Sequence, residues 1–445
     1  MEWVNQREKS MNTIEYFKER FDRLQSGING SNLAGISQKA FSAFNKMGIP
    51  AARHEEWKYT RIASLFNKDF EFPVNPTASV SQEDLNAFRL PGHEQASELI
   101  FINGIFSSAL STVRSEKQLI VMPLKEAANN EYQDIVSKHL GHSSNYLKDG
   151  INALNTAFVQ GGVFIYVKER QITEHPVYIY NITDARAGNT FSQPRSLAYI
   201  GENSHVQFVQ TFITIGPADV FTNEVMEIVV EKDARLEYYK IQNEPARSNS
   251  VSTTHIRQVG KSYTHTVTIS LDGGIVRNNL NMVLDAEYCE SHLYGLYFQQ
   301  GQGHIDNHTV VDNVKPNCFS NQLYKGIMDG SSTGVFNGKI FVQRDAQKTN
   351  AYQSNKNILL SELASVNTKP QLEIFADDVK CSHGCTIGHL DDEGLFYLQS
   401  RGITEKNAQS LLLHAFADDI LEKINIPVIR DHIDNLISER LEFTV

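Results

Sequence analysis

The chain has 445 residues, 41 Lys and Arg against 52 Asp and Glu, and a formal charge of -11. Hydrophobic residues at 41% and charged residues at 21% argue against a disordered or fibrous class, and the length exceeds one compact core, so two or three units or one elongated solenoid is expected. No dense Lys/Arg run offers the basic face that nucleic acid needs, and the apolar runs are too short to span a bilayer.

The opening MEWVNQREKS mixes acids and bases with no apolar core behind it, so no secretory leader is expected; Met1 and Met11 are both open as translation starts. Ile14, Phe17, Phe21 and Leu24 then form one helical apolar stripe, and Ala40, Phe41, Phe44 and Met47 a second, with the breaker SGINGSN between them. RHEEWKYTRI places His54, Glu55 and Glu56 beside Trp57 in the manner of a zinc-protease helix. The second histidine is missing, because Lys58 stands four residues on.

From about residue 98 the pattern changes to short alternating segments such as ELIFINGIF, HPVYIYNIT, HVQFVQTFI, YTHTVTISL and GVFNGKIFVQ, separated by turn-rich pieces such as GENS, LDGG and MDGSST. A long all-β region is predicted, as a sandwich or as a loosely repeating β-helix, since no strict period holds it together. Helix returns at the end. Thr404 is the expected N-cap of a stripe of Ala408, Leu411, Leu412, Ala415 and Phe416, Pro427 breaks it, and Ile429, Ile433, Leu436, Ile437 and Leu441 define another. The predicted organisation is residues 1–97 helical, 98–390 β and 391–445 helical.

The four cysteines, Cys289, Cys318, Cys381 and Cys385, are too few for a secreted disulfide framework, which points to a reducing, cytoplasmic compartment. VKCSHGCTIG is the densest chemistry in the chain. On a strand Cys381, His383 and Cys385 share one face, a row of soft and borderline metal ligands. Same-face neighbours sit roughly 6.5 Å apart, whereas two sulfurs each ~2.3 Å from one metal lie closer than ~5 Å. Either Gly384 bends the strand, or the row is presented outward to share a metal with another chain. Against both stands the reading of Cys381 and Cys385 as small buried hydrophobes and His383 as a hydrogen-bonded core histidine.

Other motifs carry less. His304, Asp306 and His308 in GHIDNHT share a face and offer divalent-ion or acid–base chemistry, with hydrogen bonding the simpler role. Gly338 and Lys339 lack the first glycine of a phosphate loop and have Ile340 where Ser or Thr belongs, and Gly301 with Gly303 lacks the third glycine of a dinucleotide fingerprint. Asp377 with Asp378, and Asp391 with Asp392 and Glu393, are paired carboxylates of the kind a glycoside-cleaving β-helix uses, in contexts that read as turns.

One long stretch carries a family resemblance: KGIMDGSSTGVFNGKIFVQRDAQKTNAYQSNKNILLSELASVNTKPQLEIFADDVKCSHGCTIG with LDDEGLFYLQSRGIT, about residues 324 to 416, joined by EEWKYT near residue 57. These resemble the SufB/SufD family of iron–sulfur cluster assembly proteins. Gly384, where the SufB branch tends to carry Glu, and CSHG with Gly388 resemble the SufD branch. Cys385 departs from the family, which usually has a small non-ligand residue there.

The resemblance implies a right-handed parallel β-helix flanked by N- and C-terminal helical segments, and a non-ATPase scaffold subunit of the Suf complex rather than an enzyme. It implies a heterodimer with a SufB-like paralogue, a homodimer being open to the chain alone, and docking of a SufC-like ATPase on residues 391–445 through Ala408, Leu412 and Phe416. It also implies a transient iron–sulfur cluster or iron, shared with the paralogue at His383 and more weakly at Cys381, with Cys385 doubtful and nothing held tightly by the isolated chain. The alternatives are a purely structural subunit of that complex holding no metal and a β-helix carbohydrate-active enzyme.

Overall fold

The computed structural model describes residues 2–25, 31–72 and 80–442. Most of the breaker SGINGSN lies outside the described residues. The flanking helices, Glu2–Gln25 and Ala34–Met47, form where the apolar spacing predicts them. Phe17, Phe21, Phe41 and Phe44 are buried, Ile14, Leu24 and Ala40 pack at the margin, and Phe21 stacks on Phe41 with ring centroids 4.0 Å apart. Met47 ends the second helix beside Gly48 and remains exposed.

The β region is a parallel β-helix of about 8 turns. From Arg195 onward successive strands alternate between two ten-stranded sheets, and from Val220 onward each strand lies beside the one two positions earlier in the chain. Parallel pairing follows, because each coil returns to its starting face in the same direction. In-register partners are Tyr263 and Glu290 in one turn, 27 residues apart, and Phe319 and Asn350 in another, 31 apart. Variable corner length is why no period is visible in the sequence. Asn203, Asp233, Tyr288, Asn317 and Lys348 stack at one corner with φ between 55° and 62°, a conformation Asn and Asp adopt readily and Tyr and Lys do not.

Alternation sorts each strand. Leu236, Leu293, Phe336, Ile340 and Val342 point into the lumen of the helix, and the outward faces are covered from two sides. The N-terminal helices and Gly150–Ala157 sit on one sheet through Phe191, Phe221 and Val251. The last helix, Pro427–Glu442, starts at the predicted breaker and buries Ile429, Ile433, Ile437 and Leu441 with Val267, Ile269 and Leu296 of the other sheet. Pro fits there because the first helical turn needs no N–H from it.

The helix before it, Glu405–Leu421, has Thr404 as its N-cap, the hydroxyl accepting from Asn407 N–H, as predicted. Its buried stripe differs from expectation: Ala408, Leu413, Ala417, Ile420 and Leu421 are buried, Leu412 and Phe416 are half-buried, and Leu411 and Ala415 are exposed. The helix lies against both a strand layer and a second helix, and this rotates its inner face by about one residue. No helix among the described residues is long and apolar enough to cross a membrane.

Candidate functional site at the open end of the helix

The two sheets end on Ser365–Ile374 and Lys380–Gly388. Each is paired on one edge only among the described residues, so each presents a row of free backbone donors and acceptors. Lys380–Gly388 pairs with Asn350–Leu359 in continuous parallel register: Ala351 with Cys381, Gln353 with His383, Asn355 with Cys385 and Asn357 with Ile387. The four partners below are buried in the lumen. Cys381, His383 and Cys385 therefore share the lumen face at the mouth of the β-helix, as alternation predicts.

Of the two ways to use such a row, the register removes one. Gly384 keeps its place in the ladder without a bulge, and nothing stands within 4 Å of where its Cβ would lie. The strand stays straight, and the ligands stay roughly 6.5 Å apart. Their environments differ along the row. Cys381 is half-buried against the lumen core, and burial raises its thiol pKa. His383 and Cys385 are exposed, so neither is the buried core residue of the simpler reading. The penultimate strand brings Val366 and Leu372 against the same core. Gln353 and Asn355 thus lie beneath the exposed imidazole and the exposed thiol, while Cys381, Val366 and Leu372 pack on the apolar core.

The other sequence candidates are structural. His304, Asp306 and His308 do share an outer face, and the EEWKYT segment closes over it. Arg277 stacks on Trp57 at 3.9 Å and pairs with Asp306 at 3.1 Å, both ionic groups being 1% exposed. Thr60 bridges His304 and Asp306, and His308 lies 3.0 Å from Asp306 and 3.6 Å from Glu56. The His308 contact is the main reason the Glu56 carboxyl is held down to about 2. Lys339 pairs with Glu56, and Lys369 of the penultimate strand pairs with Glu55. This bracket fastens the N-terminal segment to the last turns.

Asp391 is the N-cap of Asp392–Ser400, accepting from Glu393 N–H, and so starts a helix rather than a solvated turn. Asp378 pairs with Lys348 at the exposed corner. Cys289 and Cys318 are buried on adjacent turns, their thiols donating to Gly260 and Ala286 carbonyls. Ala408 is fully buried, so its side chain offers a partner nothing; Leu412 and Phe416 keep part of their surface, and Lys325 Nζ sits 4.3 Å over the Phe416 ring.

Sequence reasoning missed the polar residues inside the lumen. Lys240 and Glu224 are buried there 4.0 Å apart, and Ser252 hydrogen-bonds both. Gln353 donates to Gln322 at 2.9 Å across one rung. Polar residues at every second position of an otherwise apolar strand were the available signal.

The family model for SUF system FeS cluster assembly, SufBD core domain, matches residues 181–416, and that for the SufBD protein N-terminal region matches residues 7–179. An iron–sulfur cluster assembly SufBD family protein of Synechocystis is 30% identical over 93% of this chain and 92% of its own length. The iron–sulfur cluster assembly protein SufD of Escherichia coli is 28% identical over 97% of both chains, and SufD of Bacillus subtilis is 26% identical over 75% of this chain and 76% of its own. With the core model alone spanning more than half of its residues, this chain belongs to the SufBD family of the SUF iron–sulfur cluster assembly system.

Proposed function

We propose that this chain is a SufD-type scaffold subunit of the Suf complex, pairing through its open β-helix end with a SufB-type paralogue and carrying a SufC-type ATPase on residues 391–445. The observation that carries the reading is the exposed row of His383 and Cys385, with half-buried Cys381, on a last strand whose outer edge is free. A straight strand cannot close these groups around one ion, so iron and sulfide, the substrates of assembly, take ligands from both chains. Imidazole and thiolate both suit iron. His383 supplies the ligand here; Cys381 is the weaker donor, since burial keeps its thiol protonated.

Around this mouth Ile374, Phe375 and Ile387 are exposed, apolar area that strand-edge pairing with a second β-helix covers. On Asp392–Ser400, Phe396 is 73% exposed and Tyr397 56%, and these residues, with the accessible parts of Leu412 and Phe416, form the ATPase contact. ATP turnover in that partner moves the two β-helices only if its nucleotide states bind the two arrangements differently.

The test is anaerobic iron and sulfide content of the complex purified with SufB-type and SufC-type partners, native against His383→Ala. An intact complex that has lost its cluster is the expected result. An intact complex with unchanged content refutes the ligand role and makes this chain a purely structural subunit.

A further inference from the structure

Gln353 is buried in the lumen one rung below the last strand. Its in-register neighbours are Gln322 on one side and His383 on the other. Its Nε2 donates to Gln322 Oε1 at 2.9 Å, one rung further from the open end, and Gln322 Nε2 donates in turn to Thr309 Oγ1 on the facing sheet. Gln353 Oε1, at the end of that chain, is buried and has no hydrogen-bond partner. Across the lumen the amide lies against Gly338, where a Cβ would fall 2.2 Å from Gln353 Nε2. The amide therefore reaches across the lumen to the facing strand, and its oxygen is left unpaired.

In a parallel amide ladder each acceptor is met by a donor one rung away, ~4.8 Å along the axis. The rung above Gln353 holds His383. We propose that Gln353 is the positioning residue of His383: Oε1 accepts the N–H of one ring nitrogen, which fixes a single neutral tautomer and leaves the other nitrogen bare as the ligand. This rests on the reading of His383 as an iron ligand. The His383 ring is exposed, so the bond forms by rotation of its side chain, with no movement of the strand. A buried acceptor left unmet is destabilising, and a ligating histidine characteristically gives its second N–H to such a partner. Cys381 and Cys385 lie one pleat away on either side and are at best weak donors, so neither replaces the imidazole.

The test reads the His383 ring nitrogens of the full chain by long-range proton–nitrogen NMR above the imidazole titration range, the signals being assigned by their loss in His383→Ala. One tautomer is expected in the native chain. A tautomer mixture like that of an exposed imidazole is expected in Gln353→Leu and in Gln353→Asn, which withdraws the acceptor by one methylene; Gln353→Glu, which keeps an acceptor, restores the single form. A mixture in the native chain, or the same ratio in native, Leu and Asn chains, overturns the proposal. In the assembled complex Gln353→Leu is expected to lower iron content about 10-fold without loss of the partners. Iron content that depends on His383 but not on Gln353 also overturns the positioning role while the ligand reading stands. Should His383→Ala leave iron unchanged, the ligand reading fails, and the tautomer ratio still decides whether Gln353 holds the ring.

Discussion

Two strands of the same coil, Val220–Val230 and Lys380–Gly388, have opposite fates. The first is buried at all of its residues, with a strand on each side and the helix Gly150–Ala157 over its outer face. The second is exposed at every residue but Cys381. Both carry polar side chains. In the inner strand each polar group is engaged: Glu227 meets Arg195 and the Gly141 and Ser143 amides, and Asn223 meets Ile151 and Gln193. On the last strand His383 and Cys385 face outward from the lumen mouth. Position in the coil therefore decides whether a polar residue stabilises the fold or is left for a partner.

The largest effect is expected in the covered region. Arg195 and Glu227 are 1% and 2% exposed, and Arg195→Ala leaves a buried carboxylate without its cation, a loss of about 3–5 kcal/mol by denaturant unfolding. A wild-type-like midpoint would erase the contrast between the two strands.

Next comes Glu244, which burial raises from 4.5 to about 7 while Thr214 hydrogen-bonds its carboxyl. A raised folded value means that stability is full below the unfolded pKa and is lost as pH rises from about 4.5 through 7. Glu244→Gln is therefore expected to match the native chain at acid pH and exceed it by about 3 kcal/mol above neutrality. Equal stability at both pH values would show that the site is wetter than its burial indicates.

Thiol alkylation sharpens the comparison without mutation. Cys385 is expected to react first, Cys381 more slowly because burial raises its pKa, and Cys289 and Cys318 only on unfolding, read by mass spectrometry over time. The smallest effect belongs to the open end: Ile387 is 46% exposed, and Ile387→Ser is expected to change the stability of the isolated chain by less than about 0.5 kcal/mol. The same substitution is expected to weaken capture of the paralogue in a co-purification, since it lies on the surface assigned to that contact.

Much was legible locally. The Phe17 and Phe21 stripe, the Thr404 cap, the Pro427 start and the shared face of Cys381, His383 and Cys385 are consequences of 3.6- and 2-residue periods acting on neighbours. The inner face of Glu405–Leu421 was not, because its apolar residues cover most of its circumference and packing alone chose among them. GHIDNHT was ambiguous in the same way: only contact with Glu56 and Thr60, about 250 residues earlier in the chain, makes it a bracket.

By itself the sequence determined the order of helix, long β region and helix, and the side of the strand on which the metal-type ligands stand, because these depend on spacing within one segment. Tertiary structure alone decided that the strand is the last of the coil, that its bend at Gly384 is absent, and that Gln353 lies beneath His383. Those facts depend on which distant strands pair, and in a coil with turns of 27 and 31 residues no local pattern encodes the register.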